Sequence, residues 1–243
     1  MKTLGIIPAR YASTRLPGKV IADLCGKPLI QWVYERSQSA SLLNELIVAT
    51  DDERVYNAVR GFGGNVVMTG ADHPNGTSRA AEASKGIEAD IVVNIQGDEP
   101  LISNIMIDEV IKLLLDNPED VTATLVRPVA PEDYNNIGVV KTVCDINSYA
   151  LYFSRSLIPY QHTEFIAPVY EHIGIFAYTK EFLLKYASLP ETPLAKAESL
   201  EQLKVLEHGY KMRVAITKCN EAGFCVDTQE DLERMREYMK RQG

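Results

Sequence analysis

The sequence predicts an α/β fold built on a mostly parallel sheet, and three observations carry that expectation. Short apolar runs rich in branched side chains recur at residues 3–7, 45–50, 65–68 and 89–95, each of strand length. Segments with apolar residues at helical spacing lie between them, and repeated βα units imply parallel strands covered by helices on both faces. From about residue 127 the rhythm breaks into proline-rich connections, which predicts a smaller, irregular α+β lobe in the second half.

Residues 3–7, Thr-Leu-Gly-Ile-Ile, read as a buried strand closed by Pro8, so residues 10–19 form a connection rather than a helix. That connection carries Arg10, Arg15 and Lys19, with Ser13 and Thr14 between them. Open α/β sheets bind ligands outside the carboxyl ends of their strands. Backbone N–H groups beside cations suit a polyphosphate there; a solvated surface loop is the alternative. No Gly-x-x-x-x-Gly-Lys-Ser/Thr run occurs, so the loop is not of Walker type.

Pro28 stands at the first turn of a predicted helix, with Trp32 and Val33 facing the core. The strand at 45–50 ends in Asp51 and Asp52, acids suited to capping the helix that carries Val55 and Val59. Asp51 as a metal ligand is the other reading. Gly61, Gly63 and Gly64 follow that helix instead of opening one, so they are no dinucleotide fingerprint, and the three-layer layout is Rossmann-like without it.

The strand at 89–95 runs into Gln96-Gly97-Asp98-Glu99-Pro100, which places an acidic pair at a second strand end. A carboxylate there can hold Mg²⁺ against phosphate oxygens; a turn that uses the freedom of Gly97 is the alternative. In the second half, residues 139–143 and 172–178 read as strands and 154–169 as an irregular stretch containing Pro159 and Pro168. Residues 194–208 read as one helix ended by Gly209, 212–216 as a strand, and 228–241 as a charged closing helix. Thr228 and Asp231 form a capping-box pattern, leaving Asp227 free just before that helix.

Composition narrows the function. A 46% apolar and 24% charged chain of 243 residues fits a globular protein. Its net charge of −8 argues against a nucleic-acid binder, so any nucleotide site must concentrate its cations locally. No run approaches the roughly 18 apolar residues of a membrane span, and no signal-peptide core follows Met1, which predicts a cytoplasmic protein without membrane insertion. Cys25, Cys144, Cys219 and Cys225 lack zinc-type spacing and read as free thiols.

Several segments taken together carry a family resemblance. Pro8-Ala9-Arg10 followed by Ser13-Thr14-Arg15-Leu16-Pro17-Gly18-Lys19 resembles the nucleotide-binding loop of the cytidylyltransferases that make CMP-3-deoxy-manno-octulosonate (the CMP-Kdo synthetase family), and later segments match in the same order over nearly the whole chain. Gln96-Gly97-Asp98-Glu99-Pro100 and Val226-Asp227-Thr228-Gln229-Glu230-Asp231-Leu232 resemble the segments that supply that family's two metal-binding aspartates. The resemblance implies CTP and Kdo as substrates, Mg²⁺ held by Asp98 and Asp227, and Lys19 as a third catalytic group. Pro8, Ala9, Arg10, Ser13, Arg15, Lys19, Gly76, Thr77 and Arg79 would contact the nucleotide. Asn75 and Ser78 depart from the usual Ser and acid around that second segment.

On the sugar side the resemblance implies Gln96, Tyr152, Arg155, His172, Glu201 and Gln202, with the Arg155 guanidinium suited to an ulosonate carboxylate. Lys204 replaces the more frequent Arg after Leu200-Glu201-Gln202-Leu203, and a variant sugar such as an 8-amino ulosonate stays open. It further implies a nucleotide-binding part over about 1–126, a sugar-binding and dimerisation lobe over about 127–211, a closing strand and helix over about 212–243, and a homodimer. A nucleotide-sugar sensor without turnover is the reading outside enzymes. A glycosyltransferase is disfavoured because Asp98-Glu99 is not Asp-x-Asp. The sharpest expectation is spatial: Asp98 and Asp227, far apart in sequence, must meet beside the cationic loop.

Overall fold

A computed structural model describes residues 1–164, 167–219 and 225–242. In chain order they form β1 (Thr3–Ala9), a small hairpin of β2 (Asp23–Leu24) and β3 (Lys27–Pro28), α1 (Leu29–Gln38), β4 (Glu45–Thr50), α2 (Glu53–Gly61), β5 (Val66–Met68), α3 (Gly76–Ser84), β6 (Ile91–Asn94), α4 (Asn104–Asp116) and β7 (Thr122–Pro128). There follow β8 (Lys141–Cys144), β9 (Ala150–Ser154), β10 (Tyr170–Thr179), α5 (Lys180–Ser188), α6 (Pro193–Glu198), α7 (Leu203–Glu207), β11 (Arg213–Ile216) and α8 (Gln229–Gln242).

The main path of the sheet runs β11-β7-β10-β6-β1-β4-β5. β1 lies parallel to β4 and β6, β4 to β5, and β11 to β7. β10 enters antiparallel between β6 and β7 and carries the β8–β9 hairpin at its start. The sheet is thus mostly parallel, as expected, and the strand at 172–178 belongs to its centre. Helices cover both faces. On one, Leu29, Ile30, Val33, Val55, Val59, Ile107, Val110, Leu232 and Met235 pack on Ile7, Val48 and Val93. On the other, Ala80, Ala81, Phe182, Leu183, Tyr186 and Leu203 pack on Leu4, Ile6, Ile47, Val92 and Tyr178. β1 is apolar without alternation because both of its faces are buried.

Some boundaries differ from the sequence reading. β1 continues through Pro8 to Ala9, with Pro8 opposite Ala49. Ile6 turns its carbonyl toward β6, accepting from the Ile95 N–H at 2.9 Å. Two residues later Pro8 faces the same side, where the pairing with β6 has ended at Asn94, so its missing N–H costs no ladder bond. Pro28 precedes α1 as its N-cap rather than sitting in its first turn. The single helix expected over 194–208 is two helices. Ser199 adopts a left-handed conformation (φ 54°, ψ 49°), and the Ser199 and Leu200 N–H groups both return to the Ala195 carbonyl. Serine seldom adopts that conformation, so apolar spacing gave no sign of the break.

The capping expectations hold at Asp52, Thr228 and Asp231, though not at Asp51. Asp52 caps α2 by accepting from the Arg54 N–H at 2.9 Å. Thr228 Oγ1 accepts from the Asp231 N–H at 3.1 Å while Asp231 Oδ2 accepts from the Thr228 N–H at 3.0 Å, a reciprocal box. Among the described residues no helix is long and apolar enough to cross a membrane.

Candidate active site

Because β1, β4 and β6 run parallel, their carboxyl ends share one edge, and the cationic loop leaves from it. The Tyr11 carbonyl accepts from the Ser13 N–H at 2.9 Å and the Gly18 N–H at 2.8 Å, which folds the loop back on itself. Gly18 turns the chain with φ +73° into a short 3₁₀ turn over Lys19–Ile21. Lys19 Nζ then donates to Asp98 Oδ2 at 2.6 Å and to Asp227 Oδ1 at 2.8 Å. Arg15 adds an ion pair to Asp227 Oδ2 at 2.9 Å. The two acids therefore converge on one ammonium group beside the loop.

Two backbone features bring them there. A Cβ on Gly97 would stand 2.8 Å from the Pro8 carbonyl oxygen, so only glycine lets the end of β6 approach β1 this closely and present Asp98 to Lys19. The Val226 N–H donates to the Asp98 carbonyl at 2.9 Å, which ties the approach to α8 onto the same strand end. Burial alone would lower the Lys19 pKa, but Asp98 and Asp227 outweigh it and hold the ammonium above its ordinary value. Gly97→Ala is expected to destabilise the fold by about 1–3 kcal/mol, the usual penalty for overpacking, and to lower activity by displacing Asp98. Urea unfolding monitored by circular dichroism checks the first part; an unchanged midpoint would contradict the close approach.

Glu99 is a further acid at this edge that the sequence reading left as half of an acidic pair. Burial and the neighbouring Asp98 push its pKa up to about 7, and the Cys225 thiol donates to its Oε1 at 3.5 Å.

The segment at 75–79 opens α3. Asn75 caps it by accepting from the Ser78 N–H at 2.8 Å, and Ser78 Oγ returns to the Asn75 carbonyl at 3.0 Å, so the two unusual residues serve each other. Gly76 lies against Pro8, whose Cγ would be 3.4 Å from an added Cβ, and Ala9 is buried beside it at the end of β1. Arg10 reaches over to the His73 carbonyl; burial and the nearby Arg79 lower its pKa. Arg79, expected at the nucleotide, is fully buried and donates to Thr69 Oγ1 at 2.5 Å and Asp51 Oδ2 at 2.9 Å. Asp51 does not cap α2: it balances a buried guanidinium under the site.

Thr77 joins the two halves of the chain. Its hydroxyl donates to Glu201 Oε1 at 2.9 Å and accepts from Asn94 Nδ2 at 2.9 Å. Among the described residues Asn94 Oδ1 and Glu201 Oε2 are buried without a partner, and burial raises the Glu201 pKa. Glu201 lines a cleft of about 410 Å³ with Asn75, Gly76, Glu191, Lys196 and Ser199. Sequence reasoning missed Asn94; the available signal was an amide in an otherwise apolar central strand. Gln202 is buried next to Glu201.

The remaining sugar-side expectations fare differently. Gln96 lies beside Gly174, where an added Cβ would be 3.3 Å from Gln96 Cγ. Tyr152 is half-buried, and burial and Glu198 raise its pKa. Arg155 is not turned to an anion: Nε donates to the Glu198 carbonyl at 2.8 Å, Nη1 to Ile137 at 3.0 Å and Nη2 to Ser199 at 3.5 Å. The fork that suits a carboxylate equally suits a cluster of carbonyls, and here it staples β9 to the end of α6. His172 packs between Phe153 and Phe176, with ring centroids 5.0 and 5.1 Å away. Its Nε2 lies 2.9 Å from Thr124 Oγ1, whose own proton goes to the Ile175 carbonyl at 2.7 Å, so the ring donates.

Burial lowers the His172 pKa to about 3, so the ring is neutral in the folded protein at physiological pH. The unfolded chain takes up that proton near pH 6.5, the folded one only near 3. More protons bound in the unfolded state mean stability falls as pH drops between those values. His172→Phe should therefore lose less stability than the unsubstituted protein between pH 7 and pH 4.5, read from paired urea midpoints. An equal loss would place a charged ring at this position.

A family model described as Cytidylyltransferase matches residues 4–215. A 3-deoxy-manno-octulosonate cytidylyltransferase of Fusobacterium nucleatum subsp. nucleatum is 49% identical over 242 residues, covering 99% of this chain and 98% of that protein. One from Geobacter sulfurreducens is 47% identical over 252 residues, covering 99% and 100%. A solved structure of CMP:2-keto-3-deoxy-manno-octonic acid synthetase complexed with CTP superposes with a TM-score of 0.95 at 41% identity, over 100% of both chains.

Proposed function

The chain belongs to the cytidylyltransferase family, among its 3-deoxy-manno-octulosonate members, and on that premise we propose that it joins CTP to Kdo, forming CMP-Kdo and releasing pyrophosphate. The observation that carries the proposal is the convergence of Arg15, Lys19, Asp98 and Asp227 at the shared ends of β1 and β6.

In this reading the sugar's anomeric hydroxyl attacks the α-phosphorus in line with the departing pyrophosphate. Transfer of this kind needs positioning and charge stabilisation rather than a covalent enzyme intermediate. Arg10, Arg15 and Lys19 balance the triphosphate, and Ser13, with Pro8, Ala9, Gly76 and Thr77, lines the nucleotide. Glu201, Gln96, Tyr152 and Gln202 face the sugar, while Arg155, His172 and Arg79 hold the surrounding backbone and helices in place.

Asp98 and Asp227 would hold Mg²⁺. They fit it: two carboxylates that already share one cation offer the hard oxygen donors the ion prefers. When bound, Mg²⁺ supplies charge neutralisation on the phosphates and lowers the pKa of the attacking hydroxyl. Lys19, beside both carboxylates, would contribute its ammonium to balancing the triphosphate. We further infer a cytoplasmic homodimer whose product feeds lipopolysaccharide or capsule synthesis.

Pyrophosphate release is the test. CTP with Kdo should give sustained turnover that chelation by EDTA stops and added Mg²⁺ restores, whereas ATP, GTP and UTP should be poor donors. Running Kdo beside its 8-amino analogue and sialic acid identifies the acceptor; no release with any ulosonate would leave the binding-protein reading in its place.

A further inference from the structure

We propose that Tyr11 and Arg54 are positioning residues for the cationic loop, a stacked pair that fixes the loop's shape from outside the site and sets how well Arg15 and Lys19 meet a triphosphate. The proposal rests on the cytidylyltransferase reading for the identity of that triphosphate, but the device itself stands on geometry alone.

The guanidinium carbon of Arg54 lies 3.3 Å from the centroid of the Tyr11 ring, a stacking contact. The Arg54 side chain is 60% exposed, and Asp52 holds it bidentately, with Oδ1 2.9 Å from Nε and Oδ2 2.7 Å from Nη2. Asp52 is itself fixed as the cap of α2, and Arg54 keeps its carboxyl well down, at a pKa of about 2. α2 is anchored in the core through Val55 and Val59. A rigid helix end therefore presents a flat cation to Tyr11.

Tyr11 is the hub of the loop. Its carbonyl accepts from both Ser13 and Gly18, and its ring packs under Gly18, where an added Cβ would be 2.9 Å from Cε2. Lys19 follows directly. A shift of the Tyr11 ring must move Gly18, and with it the base of the Lys19 side chain that spans Asp98 and Asp227. Tyr11 and Arg54 thus act through the loop's backbone, while Arg15 and Lys19 supply the charge.

Two readouts test this. Amide hydrogen exchange at Ser13 and Gly18, the two N–H groups on the Tyr11 carbonyl, should speed up in Arg54→Ala and in Tyr11→Leu, and stay slow in Tyr11→Phe, which keeps the ring. This measurement needs no substrate, so it judges the device even if the proposed reaction fails. In the pyrophosphate assay, Arg54→Ala should lower kcat/KM for CTP by about 2- to 30-fold, the range for exposed to desolvated cation–π contacts. That loss should appear mainly in KM for CTP, with KM for the ulosonate unchanged, and the double variant with Tyr11→Leu should be no worse than the poorer single one. Unchanged exchange, additive losses, or equal damage to both substrates' KM would overturn the proposal.

Discussion

Asp227→Asn should lose turnover by roughly a thousandfold or more while leaving the fold intact. Asparagine keeps the side chain's size and can still accept a hydrogen bond from Lys19 or Arg15, so the substitution removes charge and little else. Metal-based charge stabilisation is worth several kcal/mol, and each 1.4 kcal/mol is a factor of ten in rate, which sets the scale. Asp227 is the end point of two ion pairs, yet its side chain remains 31% exposed, so the cost in stability should be small. Asp98→Asn should behave alike, and the double variant should be hardly worse than either, because groups that act as one unit do not contribute additively. Pyrophosphate release, run beside thermal melts, separates the outcomes. Near-normal turnover in either single variant would remove the paired carboxylates from the chemistry.

Lys19→Met should lower kcat/KM for CTP by about 10²–10³-fold, the usual consequence of removing one preorganised stabilising donor. A second effect distinguishes its role from general charge. Lys19 Nζ lies 2.6 Å from one carboxylate and 2.8 Å from the other, where it competes with any divalent cation for both. Replacing it with methionine leaves two like charges facing each other, an arrangement that attracts a cation. Mn²⁺ titrated into the nucleotide-free variant should therefore bind more tightly than to the unsubstituted protein, as followed by paramagnetic resonance. Equal or weaker binding would mean that Lys19 does not hold the metal's place. The pH sense follows from its raised pKa: the ion pairs are present throughout neutral pH and are lost only as pH climbs past the lysine's folded value, above 10.5.

How far the sequence reached is best seen residue by residue. The apolar runs of β1, β4 and β6 were legible because a strand buried on both faces leaves a continuous hydrophobic signature. The turn chemistry of Asp52, Thr228 and Asp231 was equally plain, since capping depends on neighbours only. Nothing in spacing alone could show that Asp98 and Asp227 would share one ammonium. The family resemblance implied that the two acids meet, but not that Lys19 bridges them. Polar side chains with internal partners are the hardest to read. Arg79 and Arg155 carry the same fork whether it meets a ligand, Asp51 or a trio of carbonyls, and a one-dimensional pattern cannot tell which. The break at Ser199 and the antiparallel entry of β10 were invisible for a similar reason: both are settled by what the chain packs against.

The position of β10 also bears on how the protein is made. β6 and β7 never touch each other in the ladder; each waits for the segment that comes to lie between them, Tyr170–Thr179. While the chain is being translated, one flank of β6 therefore keeps bare N–H and C=O groups until residue 179 has cleared the ribosome tunnel. Such a flank is a template for unwanted strand addition, and chains halted in that interval belong to the class that aggregates or engages chaperones. Slow codons within residues 130–170 should accordingly lower soluble yield more than slow codons placed within α8.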